Sequence, residues 1–306
     1  MVSSLDASSQ RFLSSLEKLQ ARLDNSQKQI SSGKRIEKAS DAPDQVSTLL
    51  HIRSLIARNT GIKQNLNRVK TEVDSGEQAL SQAINLMERA AVVGAMGIGV
   101  AQTKATRATM ALEIEGLMQQ MVAVADTSVD GRYIFSGDAD QSEPYTLDWT
   151  ATTGARQLVT STAATRQIET PNGTSFVAAH GANEIFDLRD DTGTPTGENV
   201  FNALKSLRDA LLADSQADIT TAVAAVRASG TYLNEQLGFY GVTQNRVSAA
   251  LEDAEQSSTD LQARLAGVED SDLTAAILEL TQGRLQLDAA LQARSLKPRT
   301  SLFDVL

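Results

Sequence analysis

Cysteine is absent from all 306 residues, which excludes disulfides and thiolate chemistry but fixes no compartment. Histidine occurs twice, at His51 and His180, each without neighbouring ligands at zinc spacing. The five prolines sit at 43, 144, 171, 195 and 298. Residues 44–143 and 196–297 are therefore proline-free, as long helices require. No run approaches the roughly 18 apolar residues of a membrane span, and the first thirty residues lack the apolar stretch of a cleaved secretory signal. Aromatics are scarce, 4% of the chain, and most of them cluster between residues 133 and 201.

The charge is uneven. The net is −10, yet residues 1–70 carry 12 Lys+Arg against 6 Asp+Glu, and residues 240–306 carry 6 against 10. An acidic chain with one basic arm argues against a dedicated nucleic-acid binder. The opposite signs of the two ends make them natural partners.

Periodicity is what the sequence has in quantity. Phe12, Leu16, Leu19, Leu23 and Ile30 recur at heptad steps with Ser26 in the sixth slot, giving one narrow apolar stripe on a helix. Gly33 stops that helix, and Pro43 excludes the α conformation at Ala42. Isolated helices of this length are marginal in water, so the stripe needs a partner. At the far end Leu273, Ile277, Leu280, Leu287 and Leu291 repeat the spacing, with Arg284 in the remaining slot. These ten apolar residues are the candidate assembly interface. Val247, Leu251, Ala254, Ser258, Leu261, Leu265 and Val268 form a further run. Two readings stay open: a closed helical bundle, or a helical layer completed by other subunits. Under the second, the arms of a free monomer are expected to be mobile.

Between the ends, helical spacing runs from Val46 to Met87, where Gly61 and Gly76 each cost about 1 kcal/mol relative to Ala. Gly94, Gly97 and Gly99 are expected to break the helix. Another helix is expected over about 103–129, and periodicity vanishes over 133–198. Short runs such as Leu158-Val159-Thr160 and Ser175-Phe176-Val177, with turns at Pro171-Asn172-Gly173 and Asp191-Thr192-Gly193, predict a small β-rich insert. Its surface position makes it expected to be dispensable for assembly. Asn199 is a candidate N-cap for the next helix, and residues 218–237 read as a further one. The fold class is mainly α, a long helical coiled-coil rod formed by paired N- and C-terminal segments with the insert in the middle. The expected division is an assembly arm and loop over 1–44, rod halves over 45–132 and 199–268, the insert over 133–198, and a second arm over 269–306.

Sites for chemistry are thin. Asp138-x-Asp140 opens like a calcium loop but has Glu143 and Trp149 where Gly and Glu are needed. Gly94-x-x-Gly97-x-Gly99 has the wrong order for a dinucleotide loop. Asp41 and Asp44 fit helix N-terminal capping better than paired catalysis. Asn172-Gly173-Thr174 matches a glycosylation sequon with nothing else to support it. No catalytic set, metal site or cofactor is expected.

Ile30-Ser31-Ser32-Gly33-Lys34-Arg35-Ile36 with Asp41 and Pro43 resembles the amino-terminal signature of bacterial flagellins and hook-associated proteins. Val268-Glu269-Asp270-Ser271-Asp272-Leu273, Leu280-Thr281-Gln282, Ala289-Ala290-Leu291 and Ser301-Leu302-Phe303-Asp304-Val305-Leu306 resemble their carboxyl-terminal signature. Gly131-Arg132-Tyr133-Ile134-Phe135-Ser136-Gly137 is more similar to the hook–filament junction branch than to filament flagellin. The resemblance implies a structural subunit of the flagellar axial assembly. It also implies location on the extracellular flagellum and export through the flagellar channel without a cleaved signal. The implied partners are other axial subunits, copies of itself and an export chaperone at the carboxyl-terminal arm, with no nucleic acid and no membrane. A short filament flagellin is the alternative; a helical coiled-coil binding or signalling module is a second, from a different class.

Overall fold

The structure, a computed structural model, describes residues 7–159 and 167–295. The chain forms two units, one of Met1–Arg58 with Ser258–Leu306 and one of Asn59–Ser257. Two helices pass from one unit into the other, α2 (Val46–Gly97) and α6 (Gln216–Glu269).

In the unit of residues 59–257, α2 and α6 run antiparallel. Asn59 Nδ2 donates to Ala254 O at 2.8 Å, and Gln244 Nε2 to Asp74 Oδ1 at 2.6 Å. Against them lie α3 (Lys104–Ala125) and α5 (Val200–Ala213). Leu66, Leu80 and Met87 of α2, Ile114, Met118 and Met121 of α3, Phe201 and Leu204 of α5 and Leu233 of α6 are buried in one core. Each helix offers its 3.6-residue stripe to that core.

The glycines of α2 do different work from that expected. Gly94 lies inside the helix. A Cβ there would come within 2.5 Å of Val223 Cγ2 and 3.0 Å of Leu207 Cδ1, so its lack of a side chain admits α5 and α6. The helix stops only at Gly97. Nor is α6 broken: the segments 218–237 and 247–268 belong to one helix of 54 residues. Gly238 and Gly241 cost it about 1 kcal/mol each, less than the burial of Leu233, Tyr240 and Val247 returns. Thr103 caps α3, its side chain accepting from Thr106 N, and Asn199 caps α5 by accepting from Asn202 N.

The middle of the chain holds three two-stranded antiparallel hairpins. The first, β1 (Ser128–Val129) with β2 (Arg132–Tyr133), replaces the expected last turn of α3. Asp130 and Gly131 between the strands have φ of 51° and 77°, the two positive values of the tight turn that matches strand twist. The others are β3 (Tyr145–Leu147) with β4 (Ala155–Gln157) and β5 (Gln167–Glu169) with β6 (Ser175–Val177). Leu158 and Val159 lie past the end of β4, and Thr160 is outside the described residues. Both expected turns are present, with Gly173 and Gly193 at φ +80°.

This insert is not an independent surface module. Phe135, Tyr145, Ile168 and Phe186, the last beside the short α4 (Ala182–Ile185), are fully buried in the helical core. Phe135 meets Phe186 edge-on at 5.5 Å and Tyr240 of α6 at 6.2 Å, while Tyr145 lies 5.0 Å from Phe201 of α5. The scarce aromatics fasten hairpins to helices, so the insert is part of the core of this unit and its removal bears on folding as well as on assembly.

Candidate functional site: the paired terminal helices

In the other unit, α1 (Ala7–Ser32) and α7 (Leu273–Ser295) pack together. Their order is antiparallel: Arg294 lies 5.3 Å over the Phe12 ring, Leu23 abuts Gly283, and Ser271 Oγ donates to Gln29 Oε1 at 3.3 Å. The α1 stripe sits where its spacing placed it. Phe12, Leu16, Leu19, Leu23 and Ile30 are half-buried and Ser26 is buried.

The register of α7 differs from the expected one. Leu280 and Leu287 are half-buried, but Leu273, Ile277 and Leu291 are exposed, and Arg284 is exposed too. The residues that join Leu280 and Leu287 in shelter are Ala276, Gly283 and Ala290, small side chains seven residues apart. The reason is steric. A Cβ at Gly283 would lie 2.6 Å from Leu23 Cδ2, so the bulk of α1 needs small residues opposite. Leu273, Ile277, Leu278, Leu285 and Leu291, between 46% and 65% exposed, then lie off that seam. The small-residue heptad was legible in the sequence, but a search for large apolar residues passes over it.

Beside the helix pair, the two stretches that carried the family resemblance meet. Gly33, at φ +70°, turns the chain out of α1, and its carbonyl accepts from Ser271 N at 3.0 Å. Lys34 pairs with Asp270 as an antiparallel bridge. Arg35 N and Ile36 N both donate to Glu269 O, at 2.7 and 3.3 Å. The Arg35 guanidinium donates to Val268 O and Gln45 Oε1, each at 2.8 Å. The Glu269 side chain, 3% exposed, receives Lys34 Nζ on Oε1 and Arg53 Nη2 on Oε2 at 3.1 Å. Those two cations hold its carboxyl below the usual range, Lys34 foremost, against the cost of burial. Asp272 Oδ1 then caps α7 by accepting from Thr274 N and Ala275 N. Sequence reasoning gave Glu269 no role of its own; its place at the very end of α6 was hidden because α6 read as two pieces.

The remaining candidates settle elsewhere. Asp41 Oδ2 accepts from Glu37 N and Lys38 N, capping the loop before it and not the start of α2. His51 is exposed on α2. His180 stacks on Phe239 at 3.8 Å, with Nδ1 2.8 Å from Gln236 Oε1. Asp140 pairs with Arg132. Among the described residues no group of three or more His, Cys, Asp or Glu could hold a metal ion, and no helix is long and apolar enough to cross a membrane. The carboxyl-terminal stretch 301–306 lies outside the described residues.

Known proteins agree with this plan. The bacterial flagellin N-terminal helical region matches residues 4–140. Flagellar hook-associated protein 3 of Escherichia coli (strain K12) is 27% identical over 219 residues, 68% of this chain and 67% of that one. The fold is shared with flagellar hook-associated protein-3 from Legionella pneumophila (TM-score 0.57, 12% identity, 71% of this chain and 96% of that one). It is shared also with FlgL from Bacillus cereus (TM-score 0.52, 18% identity, 72% and 100%). The flagellin region at the amino terminus, the hook-associated relative across two thirds of the length and the paired ends agree: the chain is similar to bacterial flagellins and hook-associated proteins.

Proposed function

We propose that this chain is a structural subunit of the bacterial flagellar axial assembly and forms the junction between hook and filament. The observation that carries the reading is the face of α7 off the α1 seam. Five large apolar residues, Leu273, Ile277, Leu278, Leu285 and Leu291, stand 46% to 65% exposed, while small residues are kept for α1. Apolar side chains exposed on a second face of a helix mark a surface suited to further partners. Grooves lined by Phe12, Leu16 and Leu19 on one flank and by Leu19, Leu23 and Leu278 on another remain open along the pair. On this reading the ten predicted interface residues split into two roles. Phe12, Leu16, Leu19, Leu23, Ile30, Leu280 and Leu287 close the pair within one subunit, and Leu273, Ile277 and Leu291 meet neighbours.

The partners are other axial subunits and further copies of the chain, at the bacterial flagellum outside the cell. Export through the flagellar channel without a cleaved signal, and a chaperone covering the carboxyl-terminal arm beforehand, follow from the family resemblance. The role is structural and not enzymatic. A short filament flagellin is the second reading, favoured by the flagellin region at residues 4–140.

Electron microscopy of the concentrated purified chain, alone and with flagellin seeds, separates the two. A junction subunit adds to preformed ends and makes no filaments alone. Long tubes from the chain alone contradict the junction and favour the flagellin.

A further inference from the structure

Both terminal helices hang from one residue. α1 reaches the end of α6 through Lys34, Arg35 and Ile36, three backbone or side-chain links that converge on Glu269. α7 reaches it through Asp270–Asp272, directly after Glu269. Along their length the two helices share a seam of half-buried residues and small contacts. Their firm common anchor is therefore the joint.

At that joint the chain buries a carboxylate, the only ionisable group it buries among the described residues of this unit. A buried carboxylate is tolerated only while its partners stay in place, and removing its charge leaves the partners facing one another. The charged groups around it are Lys34 from the loop, Arg53 from α2, Arg35 on the neighbouring Val268 carbonyl, and Asp270 next in the chain. Only Lys34 and Arg53 touch the carboxylate, and both are about half exposed, so salt reaches them.

We propose that Glu269 is a charge-operated latch for the terminal arms. Ionised, it holds the Gly33–Ile36 loop on the end of α6 and so sets α1 against α7. Neutralised, it confronts Lys34 and Arg53 with no anion, the loop lifts away, and the arms separate while residues 59–257 stay folded. The latch rests on the reading of the arms as assembly elements and adds what controls their pairing. Because the two cations lower its pKa, the latch is closed above the ordinary glutamate range and opens as pH falls below it.

The test is amide hydrogen exchange on the purified full chain, read as protection factors at Arg35, Ile36 and Ser271, whose N–H groups close the joint. At pH 7 these amides should be protected, and Glu269→Gln should reduce their protection by about tenfold or more. Core amides of Leu80, Met118 and Leu233 should not change. In the unaltered chain the same three amides should lose protection in acid, and Glu269→Gln should abolish that step. Lys34→Gln combined with Arg53→Gln should release the joint at pH 7 as well. The latch is overturned if Glu269→Gln keeps full protection or retains the acid step. It is also overturned if the three amides are unprotected at pH 7, or if the core amides open together with them. None of these outcomes depends on seeded assembly, so failure of the junction reading would be seen separately.

Discussion

Gly76 and Gly61 look alike in the sequence, each a helix-weakening glycine in α2, but the structure gives them different fates on substitution. At Gly61 an added Cβ meets nothing within 4 Å. Gly61→Ala should therefore stabilise residues 59–257 by about 0.5–1 kcal/mol, the ordinary gain of replacing helical glycine. At Gly76 the same methyl would lie 2.9 Å from Tyr240 Cδ1 and closer still to its Cε1. That ring cannot swing aside. It is 2% exposed and held edge-on by Phe135 at 6.2 Å and Phe239 at 5.6 Å. Overpacking a core of this kind costs about 1–3 kcal/mol, so Gly76→Ala should fall below Gly61→Ala by about that amount despite the same propensity gain. Urea unfolding followed by Trp149 fluorescence, with helical circular dichroism as a second probe, gives both numbers on one scale. Equal stability of the two variants would refute the claim that Gly76 exists to admit Tyr240.

Four further outcomes follow from the packing of the two units. Asp126, half-buried after α3 and accepting from Tyr145 N at 3.2 Å, has its carboxyl pushed up to about 6, chiefly by burial. Its folded form favours the proton, so its contribution to stability is lost as pH rises through about 6. Asp126→Asn should then stabilise the chain by about 1 kcal/mol at pH 7.5, allowing for solvent screening, and by nothing at pH 4; thermal unfolding at both values checks it. Phe135→Ala should cost about 3–5 kcal/mol in urea unfolding, and replacing residues 138–195 by a Gly-Ser linker should unfold residues 59–257, as loss of near-ultraviolet dichroism would report. Gly283→Val should weaken protection of α1 and α7 amides against exchange while leaving the unfolding of residues 59–257 unchanged, because the added bulk runs into Leu23 and Leu19 of α1.

Long-range pairing was legible because period and charge survive in a bare sequence. Phe12 to Ile30 announces a stripe, and the opposite charges of the two ends propose its partner. Boundaries were less so. Val129 continued the apolar pattern of α3, but the Asp130-Gly131 turn drew it into β1. Residues 218–237 and 247–268 read as separate elements, and the burial of Tyr240 between them belongs to one continuous helix. Close approach is invisible to patterns of large side chains. Gly76, Gly94 and Gly283 matter through the space they leave, and that space is defined by Tyr240, Val223 and Leu23 on other helices. Glu269 needed Lys34 and Arg53, both more than 200 residues away in the chain, before it could be read as anything but a surface charge.

The central claim is that α7 serves two partners, α1 through its small residues and neighbouring subunits through its large ones. Leu285, 65% exposed, separates the two roles most directly. Leu285→Asp should leave the unfolding of the free chain within about 0.5 kcal/mol of the original, since the carboxylate stays hydrated. In an assembled layer the same carboxylate would be desolvated without a partner in every copy, at a cost of several kcal/mol each. The measurement is incorporation of purified Leu285→Asp onto flagellin-seeded ends, counted by electron microscopy beside the unaltered chain. The account predicts an intact monomer that does not incorporate. Incorporation at the original level would contradict it.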